Sequence, residues 1–329
     1  MSVVTGHAPT ELMYFGKVPS RGDFVRSSHH PVFVDQLDRW QSQVMERLAT
    51  DPRWKQVYDQ APPLSFAIIG SGNRVGLAGH WLPSGDTSGR RFPFVAAASF
   101  GVEQPRHAMV VAPVALERLW LRVEQVARVA HAATALEHAQ ASLATPLDNI
   151  VDVAAARRRC QEFMDSHTLA SLNQMLQAAG HELPLRPAML ALGLLLLPAV
   201  AQGTGKLHKV LRLPLPQEPS VRTPVAAWWL SLVMGFFDRH ELELGLFIAA
   251  REQGSELLVG FQGASATAML AAIDDAAREQ HAVSLQDSDW VEDEVMQDAG
   301  LRKLSNYLRD PGLSLGQALT IYREVFLGV

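Results

Sequence analysis

Apolar positions along this chain fall into short runs and longer helical stripes, and their order outlines the fold. Residues 12–15 form an apolar run of strand length. From 31 to 48, Phe33, Val34, Leu37, Trp40, Val44 and Leu48 recur at helical spacing, with Pro31 in the first turn. Two further apolar runs, 64–69 and 75–81, flank Gly70-Ser71-Gly72-Asn73-Arg74, which suits a hairpin. A turn-rich stretch at 83–89 leads to another strand at 91–100, and a long helix is expected from 114 to about 143. Hairpin-length links between the later strands favour an antiparallel sheet over a doubly wound parallel one. The expected class is α+β, mostly antiparallel sheet with flanking helices, in an order reminiscent of longin or roadblock-type domains.

The second half reads as a helix-rich α/β region. Residues 150–178 are helical with a basic patch, and 187–200 suit a buried helix. A strand is expected over 209–215, ended by Pro214 and Pro216. Residues 225–237 read as a helix carrying Trp228 and Trp229. Residues 242–251 and 256–261 form a hairpin around Gln253-Gly254, and Ser265 is an N-cap candidate for the next helix. Linker signals at Thr145-Pro146 and 202–206 place a domain boundary near 148, giving domains 1–148 and 149–329.

Composition narrows the class of function. The 329 residues are 48% apolar and 19% charged, with a net charge of −5 and basic residues scattered rather than striped, so nucleic acid is not an expected partner. With one cysteine, Cys160, neither an intramolecular disulfide nor a cysteine metal cluster can form. Arg157-Arg158-Arg159 would lower the pKa of that thiol if it were accessible, but a buried, incidental thiol is the expected reading. Residues 1–10 lack the basic start and apolar core of a secretory signal, and the apolar stretch 188–200 is short of the ~20 residues that span a bilayer. A cytoplasmic protein without membrane insertion is expected.

Two loops concentrate the chemistry. The first is Gly16-Lys17-Val18-Pro19-Ser20-Arg21-Gly22-Asp23-Phe24-Val25, between a strand and a helix. The second is Pro83-Ser84-Gly85-Asp86-Thr87-Ser88-Gly89-Arg90-Arg91-Phe92-Pro93. Both join Ser, Asp, Gly and Arg on strand-connecting loops, where binding residues concentrate. Lys17, Ser20, Arg21, Asp23, Ser84, Asp86, Arg90 and Arg91 therefore either form a shared docking surface or pair internally and lock the loops. If they lock, Arg90 or Arg91 is expected to pair with Asp23 or Asp86.

These loops resemble the G-K-[LV]-P-[SA]-x-G-D-F and P-S-x-D-x-x-G-R-x-F-P elements of the TagF (ImpM) family of type VI secretion-associated proteins. Weaker downstream resemblance lies in Trp228-Trp229 and in Phe261-Gln262-Gly263-Ala264-Ser265 followed by Met269-Leu270. Two adjacent Trp cannot share one helix face, so one is assigned to the core and the other to a surface anchor or subunit contact.

Enzymatic motifs fail in turn. Gly70-Ser71-Gly72 with Gly76 misses the dinucleotide spacing, and no nucleophile elbow or phosphate-binding lysine loop occurs. His29-His30 at a helix entrance, and His131 with His138, are read as solvated or capping groups. The acidic run from Asp287 to Glu294 starts like a calcium loop but lacks the glycine at its sixth position and the Glu at its twelfth. Arg21-Gly22-Asp23 matches the integrin tripeptide by coincidence. No metal or cofactor is expected.

The resemblance implies a non-enzymatic accessory or regulatory protein of type VI secretion, repressing machine assembly after translation. It implies action beside a threonine-phosphorylation pathway and a forkhead-associated-domain scaffold, with the loops as docking face. Some family members carry a fused phosphatase, whose aspartate–glycine metal motifs are absent here. The rival reading is a small-molecule hydrolase using Ser20, Asp23 and Arg90, for which His80 is the nearest base in sequence.

Overall fold

The structure, a computed structural model, describes residues 12–134, 151–201, 203–249 and 254–329. Its strands are β1 Leu12–Gly16, β2 Val25–Arg26, β3 Leu64–Gly70, β4 Val75–Leu82, β5 Phe94–Gly101, β6 Val210–Leu215, β7 Glu243–Ala249, β8 Ser255–Gly260 and β9 Ala282–Val283. They form one nine-stranded sheet in the order β2-β1-β5-β4-β3-β7-β8-β6-β9. Every pairing is antiparallel except β6 with β9. The α+β, mainly antiparallel reading therefore holds.

The sheet joins both halves of the chain, because β3 pairs with β4 on one side and β7 on the other, placing Phe66 between Gly79 and Phe247. The boundary expected near 148 lies outside the described residues, as do the C-terminal end of the helix expected to reach 143, His138, residue 202 and the turn at 250–253.

Helices cover the sheet on both faces, which is why its strands read as near-continuous apolar runs. On one face lie α1 (Pro31–Leu48) and, after the second hairpin, the helix Ala266–Ile273, packing Val34, Leu37, Trp40 and Met269 over Met13, Phe66, Trp81 and Phe247. Short α2 (Trp54–Gln60) follows α1 and was not expected. On the other face, α4 (Glu117–Ala132) takes the place of the helix expected from 114, preceded by α3 (Pro105–Ala115), which was not expected. Pro105 sits in the first turn of α3, a start signal the sequence reading passed over. The helix expected at 150–178 is likewise two, α5 (Val153–Ser166) and α6 (Leu169–Ala178), because Thr168 breaks it with a capping box through Ser171.

Next come α7 (Leu185–Ala201) and α8 (Pro219–Met234). From Thr223 to Met234 every residue of α8 is buried, so the assignment of one Trp to the surface is corrected: both Trp228 and Trp229 are core. A helix without a polar face is enclosed on all sides, and each indole N–H finds a carbonyl, Leu315 for Trp228 and Pro214 for Trp229. Pro214 itself lies within β6 rather than ending it, where β9 no longer pairs. Ser265 caps its helix as expected, accepting from Ala268 N.

Candidate functional site

The two motif loops meet at one end of β1 and β5, and glycine makes the approach possible. Gly16 has φ +135, and a Cβ there would sit 1.9 Å from the Pro93 carbonyl oxygen. Lys17 N donates to that carbonyl at 3.3 Å, and Ser84 Oγ donates to the Lys17 carbonyl at 2.7 Å. Tyr58 of α2 bridges the second loop, its hydroxyl donating to Ser84 O (2.8 Å) and accepting from Ser84 N (2.7 Å). Burial pushes the Tyr58 phenol well above its usual pKa.

Asp86 is the centre of this clasp, with its side chain fully buried. Its Oδ2 accepts from Lys17 Nζ at 2.8 Å and Arg90 Nε at 2.7 Å. Its Oδ1 accepts from Ser88 N (2.9 Å), Ser88 Oγ (2.7 Å) and Arg90 N (3.0 Å). The Lys17 ammonium above all, then Ser88 and Arg90, hold the carboxyl far below the ordinary range. Arg90 Nη2 also donates to Gly22 O at 2.6 Å and Thr87 N to Arg21 O at 2.9 Å, so the second loop grips the first. Phe24 closes the edge, stacking on Phe15 (5.5 Å) and meeting Phe92 edge-on (4.9 Å), with Lys17 Nζ 5.0 Å from its ring centre.

The expected pairing is thus met by Arg90 with Asp86, but Lys17 is no surface group: its side chain is 7% exposed. Arg91 turns the other way and forms a bidentate pair with Asp59 of α2 at 2.7 and 2.6 Å, lowering that carboxyl's pKa. Asp23 accepts only from Phe24 N, and the Arg21 side chain has no polar partner among the described residues. Both are exposed, as is 44% of Phe24. The Ser20 hydroxyl is buried without a hydrogen-bond partner. Sequence reasoning missed Tyr58 and Asp59, which reach the site only through α2, and the aromatic trio, which was signalled by Phe24 and Phe92 inside the motifs.

Among the described residues, no basic side chain is hydrogen-bonded to the hydroxyl of either motif serine. His80, on β4 opposite Ser65 of β3, has its Nδ1 3.2 Å from Ser65 Oγ. Burial pushes its imidazole down to about 4. Cys160 is buried and its thiol is pushed up to about 11 despite Arg159 beside it. In the acidic run, Glu292 pairs with Arg186. Among the described residues no three His, Cys, Asp or Glu side chains gather as a metal set, and no helix is long and apolar enough to cross a membrane. What the site offers is a rigid platform holding an exposed Arg21-Gly22-Asp23-Phe24 tip.

Residues 13–146 match the family model described as the TagF N-terminal domain, type VI secretion system-associated. No curated protein matches the chain. Among solved structures, the crystal structure of PA0076 from Pseudomonas aeruginosa PAO1 is similar at 20% identity, covering 46% of this chain and 78% of that one, with a TM-score of 0.34.

Proposed function

We propose that this chain, which carries the N-terminal domain of the TagF family and is thereby type VI secretion-associated, is a non-enzymatic regulator acting through protein–protein docking. The docking element is the tip of the first loop: Arg21, Asp23 and Phe24. The observation that carries this reading is the division of labour between the motif charges. Lys17, Asp86 and Arg90 are committed to one another, while Arg21 and Asp23 stand exposed with no ion-pair partner among the described residues. A cation, an anion and a half-exposed aromatic on a fixed loop match the anchors that dominate protein interfaces. Held rigid, they cost little ordering on binding.

The effect proposed is post-translational repression of machine assembly in the cytoplasm, with a forkhead-associated-domain scaffold as the partner to test first. Against the hydrolase reading, among the described residues Ser20 Oγ has no hydrogen-bond partner, Ser84 Oγ donates to the Lys17 carbonyl and His80 sits on Ser65, so neither motif serine is joined to a base. Tagged protein pulled from secreting cells should bring down type VI components. An Arg21→Ala/Asp23→Ala variant should not. Equal capture by both would overturn the proposal.

A further inference from the structure

A second concave site lies on the α1 face, where the β3–β4 turn meets the start of β7. It is a cleft of about 400 Å³, within the ~300–1,000 Å³ usual for ligand sites. Its floor is apolar, with Leu37 and Trp40 of α1 beside Ile68 and Leu77 of the sheet. Its rim carries Gln36, Arg39 and Gln43 of α1, Asn73 of the turn and Glu243 of β7. None of these five rim side chains has a hydrogen bond or ion pair with any described residue. Trp40 adds a third sign. It is 3% exposed, yet its indole N–H is a buried donor without a partner, a rare condition in folded proteins.

We infer that this cleft binds a peptide segment of a partner protein, an apolar side chain on the floor and main-chain amides along the rim. The chemistry of the rim selects this occupant. One cation, one anion and three carboxamides offer donors and acceptors in the mixture that a peptide backbone complements. A polyanion would meet Glu243, and a wholly apolar ligand would leave the rim unanswered. Val75, half exposed at the edge, extends the apolar floor outward, as an occupant longer than the cleft requires. Walls come from both halves of the chain, α1 and the β3–β4 turn from the first, Glu243 and Ala264 from the second. The cleft shares no residue with the motif loops, so it stands or falls separately from the docking tip.

The test is selection of a phage-displayed random peptide library on the folded full chain. Enriched peptides should carry an apolar anchor. Titrating a synthetic one should shift the indole N–H resonance that is missing from the spectrum of Trp40→Phe. Ala264→Trp, which fills the wall, should weaken binding about tenfold or more, and Arg39→Glu, on the exposed side of α1, by about threefold or more. Should Ala264→Trp lose its fold by circular dichroism, Arg39→Glu and the indole shift decide. The inference is overturned if no peptide enriches above a blank support. It is equally overturned if enriched peptides bind the variants as tightly as wild type with the Trp40 resonance unmoved.

Discussion

Around Asp86 five hydrogen bonds converge on one carboxylate, whereas around the cleft under α1 five polar side chains and a buried indole N–H have no partner among the described residues. Both regions sit at ends of the same sheet, and both mix charges with aromatic groups. They differ in what fixes each residue. In the clasp every side chain is set by another one, so residue type and spacing are constrained together and a dense motif results. In the cleft the side chains are set by α1 and the strands beneath it, and nothing in their spacing announces them. A conspicuous motif is therefore a guide to structural constraint first, and the group available to a partner is the one the motif leaves unpaired.

Breaking the clasp should have the largest effect on stability. Lys17→Met removes one cation from a buried carboxylate, and losing one partner of a buried pair costs about 3–5 kcal/mol. Chemical denaturation of purified protein measures it, and a loss under ~1 kcal/mol would show that Arg90 and Ser88 suffice. Lys17 thus belongs with the residues that lock the loops.

Acid should expose a different weak point. His80, buried beneath Glu124 and Arg128 with Ser65 at its Nδ1, has its pKa lowered from 6.5 to about 4. The unfolded chain takes up that proton first, so this contribution is complete above about pH 6.5 and declines toward pH 4, by about 3 kcal/mol in all. Asp86, with its pKa depressed, contributes above the unfolded carboxylate value near ~4 and loses that contribution only as pH falls on through the lower folded value. Between pH 6.5 and 4 the clasp should hold while His80 fails. Unfolding curves across that range should flatten in His80→Gln and keep their slope in Arg90→Lys.

A smaller effect is expected from Tyr58→Phe, which leaves the buried Ser84 N without its acceptor while Ser84 O keeps the bond from Phe92 N, at about 1–3 kcal/mol. The same denaturation series checks it. The smallest belongs to the tip. Arg21→Ala and Asp23→Ala should move stability by no more than ~0.5 kcal/mol, as surface sites do.

Much of the architecture was legible because periodicity is a local property. The α1 stripe, the β3–β4 hairpin and the Ser265 cap all follow from residues within a turn or two of one another. Short α2, with Tyr58 its one buried residue, is too brief to show a period. The Arg91–Asp59 pair was invisible with it, since it depends on where α2 docks. The all-apolar sequence of α8 did carry the signal that both Trp are enclosed, and reading the pair one face at a time obscured it. In the site, the identities of the clasp residues were legible, but the side to which each points was not. Lys17, between Gly16 and Val18, turns its ammonium inward to Asp86, which arrives from 69 residues along the chain.

The measurement that tests the central claim most directly sets a clasp variant against a tip variant in secreting cells. Lys17→Met and Arg21→Ala/Asp23→Ala are each expressed in place of the wild-type protein. Secretion is then scored against the amount of folded protein present. The account predicts that Lys17→Met lowers abundance while each folded molecule still represses. It predicts that the tip variant keeps wild-type abundance and stability while repression is lost. Full repression by an abundant tip variant, with repression lost in folded Lys17→Met, would contradict it and return the docking role to the clasp.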